Sequence, residues 1–213
     1  MGEMNRLAPL WSICSFDDDL LSDNTSPEFS FNYVDISNVE TGRMAVPSQT
    51  VTFADAPSRA RRLAQPGDVA ISTVRTYLRA IAPVPEDTAN LVFSTGFCIV
   101  RPLAGTSDGR FVNYLLTSNQ VVDEIVADST GTSYPATSAT KISRLRVPAP
   151  PLSTQRTIAD YLDRETAEID SMLADIKELR DLLTERRAAV ISAAVTGQID
   201  IPASPTTKDE SHA

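Results

Sequence analysis

Hydrophobic and polar residues follow two different rhythms along this chain, and the change falls near residue 150. Before that point, short apolar runs alternate with turns rich in Gly, Pro, Ser and Asn, which is typical of short strands and helices in one globular domain. From Leu152 to Thr196 the sequence contains neither Gly nor Pro and is rich in good helix formers. The pattern predicts an α+β fold made of a globular domain over residues 1–150, one long helix over 151–198 and a disordered tail over 199–213.

The predicted helix spans about 43 residues, or about 64 Å at about 1.5 Å per residue. Ser153 is positioned to be its N-cap, and Gly197 to be a left-handed C-terminal cap. A sustained seven-residue repeat indicates a coiled coil. We therefore expect an apolar stripe to carry dimerisation through Leu162, Ile169, Met172, Ile176, Leu179, Leu183 and Val190. The chain has no second long helix, so the partner helix would come from another chain. The alternative is a solvated helix that folds back on its own domain.

Within residues 1–150 the pattern predicts a small set of elements. Alternating apolar residues indicate strands at Phe31–Ile36, Val69–Val74 and Leu91–Arg101, with Gly96 as a bulge or a point of close approach. Helical spacing predicts two short helices within Phe111–Ala127. A final short strand is expected at Lys141–Val147, followed by a stiff Pro-rich link into the long helix.

Composition adds constraints on the kind of protein. The 213 residues are 42% hydrophobic and carry a net charge of −9. The sequence has neither a run of 18 apolar residues nor an evident signal peptide, so we expect a cytoplasmic protein without a membrane span. Cys14 and Cys98 are not in a metal-binding spacing and are expected to be buried free thiols. A negative charge of this size is not the profile of a protein that binds nucleic acid by general electrostatic attraction alone.

Enzyme motifs are missing from the sequence. It contains no phosphate-binding loop, no Gly-x-Gly-x-x-Gly and no Cys or His cluster, and the single histidine, His212, is in the tail. Three consecutive aspartates, Asp17–Asp19, could hold a metal ion, but a charge run of this kind is more often a solvated loop. We therefore expect neither a catalytic residue nor a bound cofactor or metal in this chain, and predict that it is not an enzyme by itself.

The helical stretch carries a family resemblance. Three segments closely resemble the conserved helical region of type I restriction–modification specificity subunits: residues 150–170 (PPLSTQRTIADYLDRETAEID), 182–187 (LLTERR) and 191–197 (ISAAVTG). Upstream, Gly67-Asp-Val, Thr95-Gly-Phe and Thr130-Gly-Thr-Ser-Tyr-Pro135 resemble landmarks of the target-recognition domain in the same family, and they fall in the same order.

The resemblance implies a role in DNA recognition. Members of the family usually contain two recognition domains and two helical regions, whereas this chain contains one of each and looks like a half-length subunit. Two copies would then pair through antiparallel helices as a homodimer and read two identical, inverted half-sites on double-stranded DNA. The implied partners are adenine methyltransferase subunits that use S-adenosylmethionine, and an ATP-dependent restriction subunit.

A second interpretation belongs to a different class. An acidic domain on a coiled-coil helix could occupy the methyltransferase or restriction subunits without reading DNA, as a regulator or a decoy. The two interpretations differ in one observable: the first predicts DNA binding that depends on the methyltransferase, and the second predicts competition with DNA.

Candidate DNA-binding residues follow from the chemistry of base and phosphate recognition, which needs side-chain donors on loops. Two segments supply them, one after the Val69–Val74 strand and one in the small, polar loop near residue 130. The candidates are Arg75, Tyr77, Arg79, Thr132, Ser133, Tyr134 and Lys141. The alternatives are ordinary surface salt bridges for the first segment and a structural turn against the long helix for the second. For Arg59–Arg62 we expect a solvated helix face.

Overall fold

A computed structural model gives the fold and describes residues 7–47, 49–131 and 135–199. The strands in these ranges are β1 Leu7–Pro9, β2 Cys14–Phe16, β3 Ser30–Val34, β4 Val39–Glu40, β5 Arg43–Met44, β6 Val51–Thr52, β7 Ala60–Ala64, β8 Val69–Ser72, β9 Ile81–Pro83, β10 Leu91–Ser94, β11 Phe97–Pro102 and β12 Arg146–Pro148. The α-helices are α1 Gly109–Thr117, α2 Asn119–Ala127, α3 Ala139–Ser143 and α4 Leu152–Val195. Short 3₁₀ turns lie at Leu10–Ser12, Ile36–Asn38 and Thr76–Leu78.

Two four-stranded sheets organise the domain. The first has the order β6-β3-β10-β7, in which β3 and β10 run parallel and the other neighbours antiparallel. The second has the order β2-β11-β8-β9 and is antiparallel throughout. Two short ladders join β1 to β12 and β4 to β5. One mixed and one antiparallel sheet, followed by one long helix, confirm the predicted α+β class.

The core is layered because successive strand residues point to opposite faces. In β8, Val69 and Ile71 pack with the apolar faces of α1, α2 and α3. Ala70, between them in sequence, faces the first sheet and packs with Val34 and Phe93. The second sheet is therefore covered on both faces, which explains why every residue of β8 is buried.

The prediction of one continuous strand over Leu91–Arg101 was wrong, because the segment forms two strands. The chain makes β10 in the first sheet, turns at Thr95-Gly96 and enters β11 in the second sheet. Close approach at Gly96 is confirmed: its carbonyl oxygen accepts from the N–H and Oγ1 of Thr73 at 2.8 and 2.9 Å. A Cβ at this glycine would lie 3.2 Å from Cγ2 of Val74. This crossing carries the chain from one sheet to the other.

The two helices predicted within Phe111–Ala127 are confirmed as α1 and α2. The strand predicted over Lys141–Val147 was wrong in its first half. Oγ of Ser138 accepts from the Lys141 N–H at 3.3 Å and caps α3, so residues 139–143 are helical. Only β12 is extended there, because it pairs with β1.

The long helix is confirmed as α4, with 44 residues and a length of about 66 Å. Ser153 is not the N-cap, because the helix already begins at Leu152 and the Pro151 carbonyl accepts from the Gln155 N–H at 3.0 Å. The C-terminal prediction is confirmed. Gly197 has φ +71°, and the N–H of Gln198 donates to the Ala193 carbonyl at 2.8 Å in a Schellman motif.

The chain divides into two compact units between Tyr161 and Leu162. The first turns of α4 belong to the first unit, where Gln155 and Ala159 are buried. The predicted disordered tail lies, apart from Ile199, outside the described residues. No helix in the described part of the chain is long and apolar enough to cross a membrane.

Candidate nucleic-acid interface

The loop between β8 and β9 presents the first group of predicted recognition residues. A 3₁₀ turn, Thr76–Leu78, is flanked by Arg75 at φ +50° and Arg79 at φ +54°. Left-handed backbone at a residue other than glycine costs about 1 kcal/mol or more and persists only where the surroundings impose it. The turn is therefore held in one conformation by contacts elsewhere.

Three contacts hold this turn. The buried Thr76 donates from Oγ1 to Oγ of Ser129 at 2.8 Å. Arg79 forms an ion pair with Asp123 at 2.8 Å and donates to Oδ1 of Asn119 at 3.3 Å, so α2 anchors the far end. The hydroxyl of Thr41, in the turn between β4 and β5, donates to the Arg79 carbonyl at 2.7 Å. The loop is thereby fixed to α2, to Ser129 directly after α2, and to the turn between β4 and β5.

The second predicted segment lies directly beside the first. Thr130 and Ala136 exchange two backbone hydrogen bonds of 2.9 Å and close a short hairpin. Ala136 also forms a bridge with Val74, and the Thr137 N–H donates to the Thr73 carbonyl at 2.8 Å. Two segments more than fifty positions apart in sequence therefore share one surface. Thr132, Ser133 and Tyr134 themselves lie outside the described residues.

The candidate side chains differ in how they are used within the domain. Arg75 is exposed, and Tyr77 has 52% of its surface accessible. Arg79 forms its ion pair with Asp123 of α2. Lys141 donates from Nζ to the Asp128 carbonyl at 2.7 Å, beside the C-terminus of α2, where a cation is favourable. Arg75 and Tyr77 are exposed, and Arg79 and Lys141 form hydrogen bonds or ion pairs within the domain.

Two apolar side chains beside Arg75 were not singled out from the sequence. Val74 and Leu78 are 41% and 48% exposed and, with Tyr77, give the turn an apolar rim. A run such as Val-Arg-Thr-Tyr-Leu after a strand also fits a buried continuation, so the apolar pattern alone could not identify these positions as exposed.

A cleft of about 390 Å³ opens next to this turn. Its lining comes from four separate parts of the chain and includes Ser37, Arg59, Val74, Arg75, Gly96 and Phe97. The crossing between the two sheets lies along it, which explains why distant segments meet there. Arg59, which also lines this cleft, was not selected from the sequence as a DNA-binding candidate.

The prediction of a solvated helix face at Arg59–Arg62 was wrong. Ala60–Ala64 is strand β7, paired with β10, and alternate side chains point to opposite sides. Arg61 pairs with Asp23 at 3.0 Å and lies over the Phe53 ring, 5.2 Å from its centroid. Arg62 pairs with Asp17, also at 3.0 Å. These two arginines are therefore neutralised within the domain.

The acidic run Asp17–Asp19 is a loop, as expected, and in addition all three of its carboxylates have partners. Asp17 accepts from the Ile99 N–H at 2.9 Å and pairs with Arg62, although burial, the largest effect, raises its pKa. Asp18 accepts from the Ser15 hydroxyl. Asp19 accepts from Nη1 of Arg101 at 2.7 Å.

Arg101 also makes two bonds, of 2.9 and 2.8 Å, to the buried carboxylate of Asp68. The hydrogen bonding to Asp68 has the largest effect on Arg101 and raises its pKa, although burial acts in the opposite direction. This network stabilises the sheet edge. Within the described ranges, no three Asp, Glu, His or Cys side chains come together as metal ligands.

The second unit presents an apolar surface of its own. Six of the seven predicted dimerisation residues are about half exposed, from 49% at Met172 to 62% at Ile176, and Leu162 is partly buried. Leu173 and Leu182 are also exposed, at 54% and 55%, and widen the stripe. Exposed apolar side chains in such number are typical of interaction surfaces, and the role of this stripe in dimerisation stays a prediction.

A mixed-sheet domain with a loop-built, arginine-bearing cleft, continued by a long amphipathic helix, defines a recognition module with a helical arm. The sequence model for the "type I restriction modification DNA specificity domain" matches residues 29–180, well over half of the chain. The chain therefore belongs to the family of type I restriction–modification specificity subunits, as its helical motifs predicted.

Individual relatives agree with this assignment. The specificity subunit of type I restriction enzyme HindI from Haemophilus influenzae is 27% identical over 149 residues, which is 67% of this chain and 32% of the relative. The EcoBI specificity subunit from Escherichia coli is 42% identical over 53 residues, 25% of this chain and 11% of the relative.

A solved structure of the HsdS subunit from Thermoanaerobacter tengcongensis superposes with a TM-score of 0.70 at 26% identity, covering 95% of this chain and 51% of that one. A chain from a structure on complex assembly and conformational transition of the type I R-M system gives 0.66 at 28% identity, covering 94% and 50%. The chain thus spans about half the length of these solved relatives and about a third of the HindI subunit.

Proposed function

We propose that this chain is a DNA-recognition component of a type I restriction–modification system. Its domain would read one half-site on double-stranded DNA and direct adenine methyltransferase subunits and an ATP-dependent restriction subunit to that sequence. The observation that carries the proposal is the family match over residues 29–180, together with fold similarity to solved specificity subunits across nearly the whole chain.

Catalysis in this proposal belongs to the partner subunits. S-adenosylmethionine and ATP would be bound by the methyltransferase and the restriction subunit, and this chain would contribute sequence recognition and positioning. The motif content of the sequence supports this division, because neither a dinucleotide-type nor a phosphate-binding loop occurs in it.

The helical arm supports a pairing proposal. We propose that α4 packs antiparallel against α4 of a second copy and buries the stripe centred on Ile176. A side chain such as Ile176, at 62% exposure, gains about 25 cal/mol for each Å² removed from water. Two-fold symmetry would then place the two recognition domains on identical, inverted half-sites.

The negative charge affects how DNA would be bound. A net charge of −9 opposes general attraction to phosphate, so the methyltransferase subunits would supply much of the backbone contact in the assembly. We expect sequence-specific binding by the complex of this chain with those subunits, and little binding by this chain alone.

Genome-wide mapping of adenine methylation, with and without this gene, tests the proposal. Loss of one bipartite motif with inverted identical halves is expected. Unequal halves would show that the chain pairs with a different recognition chain. An unchanged methylation pattern in cells that express the chain and its methyltransferase would contradict the proposal.

The acidic composition favours one alternative, a regulator that occupies the methyltransferase without reading DNA. Such a regulator would compete with DNA for the complex. Titrating the chain into methyltransferase bound to labelled duplex separates the two: a decoy releases DNA, whereas a specificity subunit increases sequence-specific binding.

A further inference from the structure

Most cations of the recognition domain are already used inside the domain. Ion pairs occupy the side chains of Arg61, Arg62, Arg79, Arg101, Arg110 and Lys141. Neutralised cations contribute little to the attraction of a polyanion, so an acidic domain must bind DNA where a cation remains available. Four described arginines of this domain, Arg43, Arg59, Arg144 and Arg146, make no such ion pair, and of these four only Arg59 lines the cleft beside the β8–β9 turn.

Arg59 meets this condition. It is exposed, and its guanidinium makes no ion pair with any described residue. Its backbone is fixed, because its carbonyl accepts from the Thr95 N–H at 2.8 Å and the next residue, Ala60, begins β7. The side chain therefore projects from a rigid position at the cleft.

The surroundings of Arg59 suit a phosphate group. One carboxylate, Asp35, lines the cleft, and its Oδ1 already accepts from the N–H and Oγ of Ser37 at 2.8 and 2.6 Å. Arg75 lines the same cleft, so its lining carries two guanidinium groups and one carboxylate. The local charge is positive on a domain that is negative as a whole.

The neighbouring loops suit the same ligand. The apolar rim of Val74, Tyr77 and Leu78 stands beside the cleft on a turn held by Thr76 and Arg79. A fixed rim next to a basic cleft can set the register of a strand whose phosphate enters the cleft.

We propose that Arg59 binds a backbone phosphate of the target duplex and so positions the neighbouring turn on the bases. The inference rests on the proposed function, because it assumes that this domain reads DNA. It adds a residue, a contact type and a cleft that the family assignment does not provide. Arg59 is a positioning residue here, since a phosphate contact carries no sequence information by itself.

The test measures how the DNA affinity of the assembled complex depends on salt concentration. The complex contains this chain and the methyltransferase subunits, and the duplex carries the motif identified by methylation mapping. Arg59→Gln should weaken binding roughly fivefold per copy at about 0.15 M salt and lower the salt slope by about one per copy. Arg59→Lys should retain both values, because a lysine also binds phosphate.

Arg144→Gln is the matched control. Arg144 is exposed, makes no ion pair with any described residue and is outside the cleft lining, so its substitution removes the same charge elsewhere. An equal loss in this control would overturn the inference, since the effect would then reflect net charge. An unchanged slope in Arg59→Gln would also overturn it, as would a changed methylation motif in Arg59→Lys.

Failure of the inference and failure of the proposed function are distinguishable. If the wild-type complex shows no sequence-specific binding that requires this chain, the proposed function fails before any variant is compared. If the wild type binds its motif and Arg59→Gln binds equally well with the same salt slope, the phosphate contact alone is wrong.

Discussion

Gln155 ties the first turn of α4 to the rest of its compact unit. Its side chain is 1% exposed and makes three hydrogen bonds. Oε1 accepts from the Asp108 N–H at 2.9 Å, and Nε2 donates to the Pro150 and Thr106 carbonyls at 2.9 and 3.2 Å. A buried amide whose donor and acceptor groups are all paired fixes a helix start more strongly than a surface cap does.

Replacing this glutamine should be costly. Gln155→Ala removes the partner of three backbone groups, of which the Pro150 carbonyl accepts a buried bond, and we expect a loss of about 1–3 kcal/mol in the free energy of unfolding. Urea denaturation measures it. Ser153→Ala is the control, because this exposed side chain makes no hydrogen bond among the described residues, and its free energy of unfolding should change by less than about 0.5 kcal/mol. Equal effects would contradict the role given to Gln155.

Both cysteines are buried free thiols, as expected from the sequence. Burial raises the pKa of Cys14 to about 12 and raises the pKa of Cys98. Because the thiolate is the reactive form, neither should react with iodoacetamide at pH 8 in the folded protein, and both should react in guanidinium. Intact mass shows the number of adducts. Alkylation of the folded chain within minutes would mean that β2 or β11, the strands that contain Cys14 and Cys98, opens.

Burial of the thiols also affects stability at high pH. The folded-state pKa values are raised above the unfolded value of 9.0, so the unfolded chain loses its thiol protons first as pH rises. Any stabilisation from the neutral thiols is complete below about pH 9 and is lost above it. This loss of stability adds to that caused by any other group that ionises at alkaline pH.

The turn between β8 and β9 is the element that positions the candidate interface. Its left-handed residues are held by α2, by the hairpin near residue 130 and by the β4–β5 turn. Preorganisation of this kind lowers the ordering cost of binding. We therefore expect Arg79 to contribute through the turn, and its predicted contact with DNA stays a prediction.

A double-mutant cycle tests this role. Arg79→Ala and Asp123→Ala should show a coupling of about 0.5–1 kcal/mol in thermal unfolding, since the pair is 36% and 64% exposed and therefore screened. In the assembled complex, DNA binding lost in Arg79→Ala should be restored by the reversed pair, Arg79→Asp with Asp123→Arg. Lack of restoration would assign Arg79 to DNA.

Arg75 is tested separately in the assembled complex. Arg75→Ala should weaken cognate binding by about 1–3 kcal/mol if Arg75 reads a base.

On the scale of the whole molecule, the exposed stripe of α4 is the feature on which the proposed pairing of two copies depends. We expect a solution mass near twice 23.1 kDa by light scattering. Ile176→Asp would bury an unpaired charge in the seam and should return the mass to 23.1 kDa.

Ala174→Asp is the matched control for this substitution. It adds the same charge to the same helix two residues away, outside the predicted heptad stripe, so the pair should persist. A wild-type monomer, or equal dissociation in both variants, would contradict the proposed seam.

The amino-acid sequence alone determined the features that depend on local patterns. The Gly- and Pro-free stretch with its seven-residue repeat specified a helix whose bounds the structure reproduces within about two residues. Gly197 specified its C-terminal cap, because few other residues adopt a positive φ without strain. The helical motifs also specified the family.

Tertiary structure decided what depends on residues distant in sequence. Residues 91–101 form a continuous strand pattern, and only pairing with β3 and β7 on one side and β8 on the other separates them into β10 and β11. Ser153 has the chemistry of a cap, but the helix starts at Leu152, two residues before the start that this cap would give, where Gln155 bonds the Asp108 N–H.

The candidate interface depends on the same long-range information. Nothing local distinguishes Arg59 from Arg61, since both are arginines in one short run. Strand alternation brings Arg61 to Asp23 and Phe53, while the sheet crossing brings Arg59 to the cleft beside Arg75. Which arginine remains available for DNA is therefore a property of the fold, because the competing carboxylates come from segments that meet only in three dimensions.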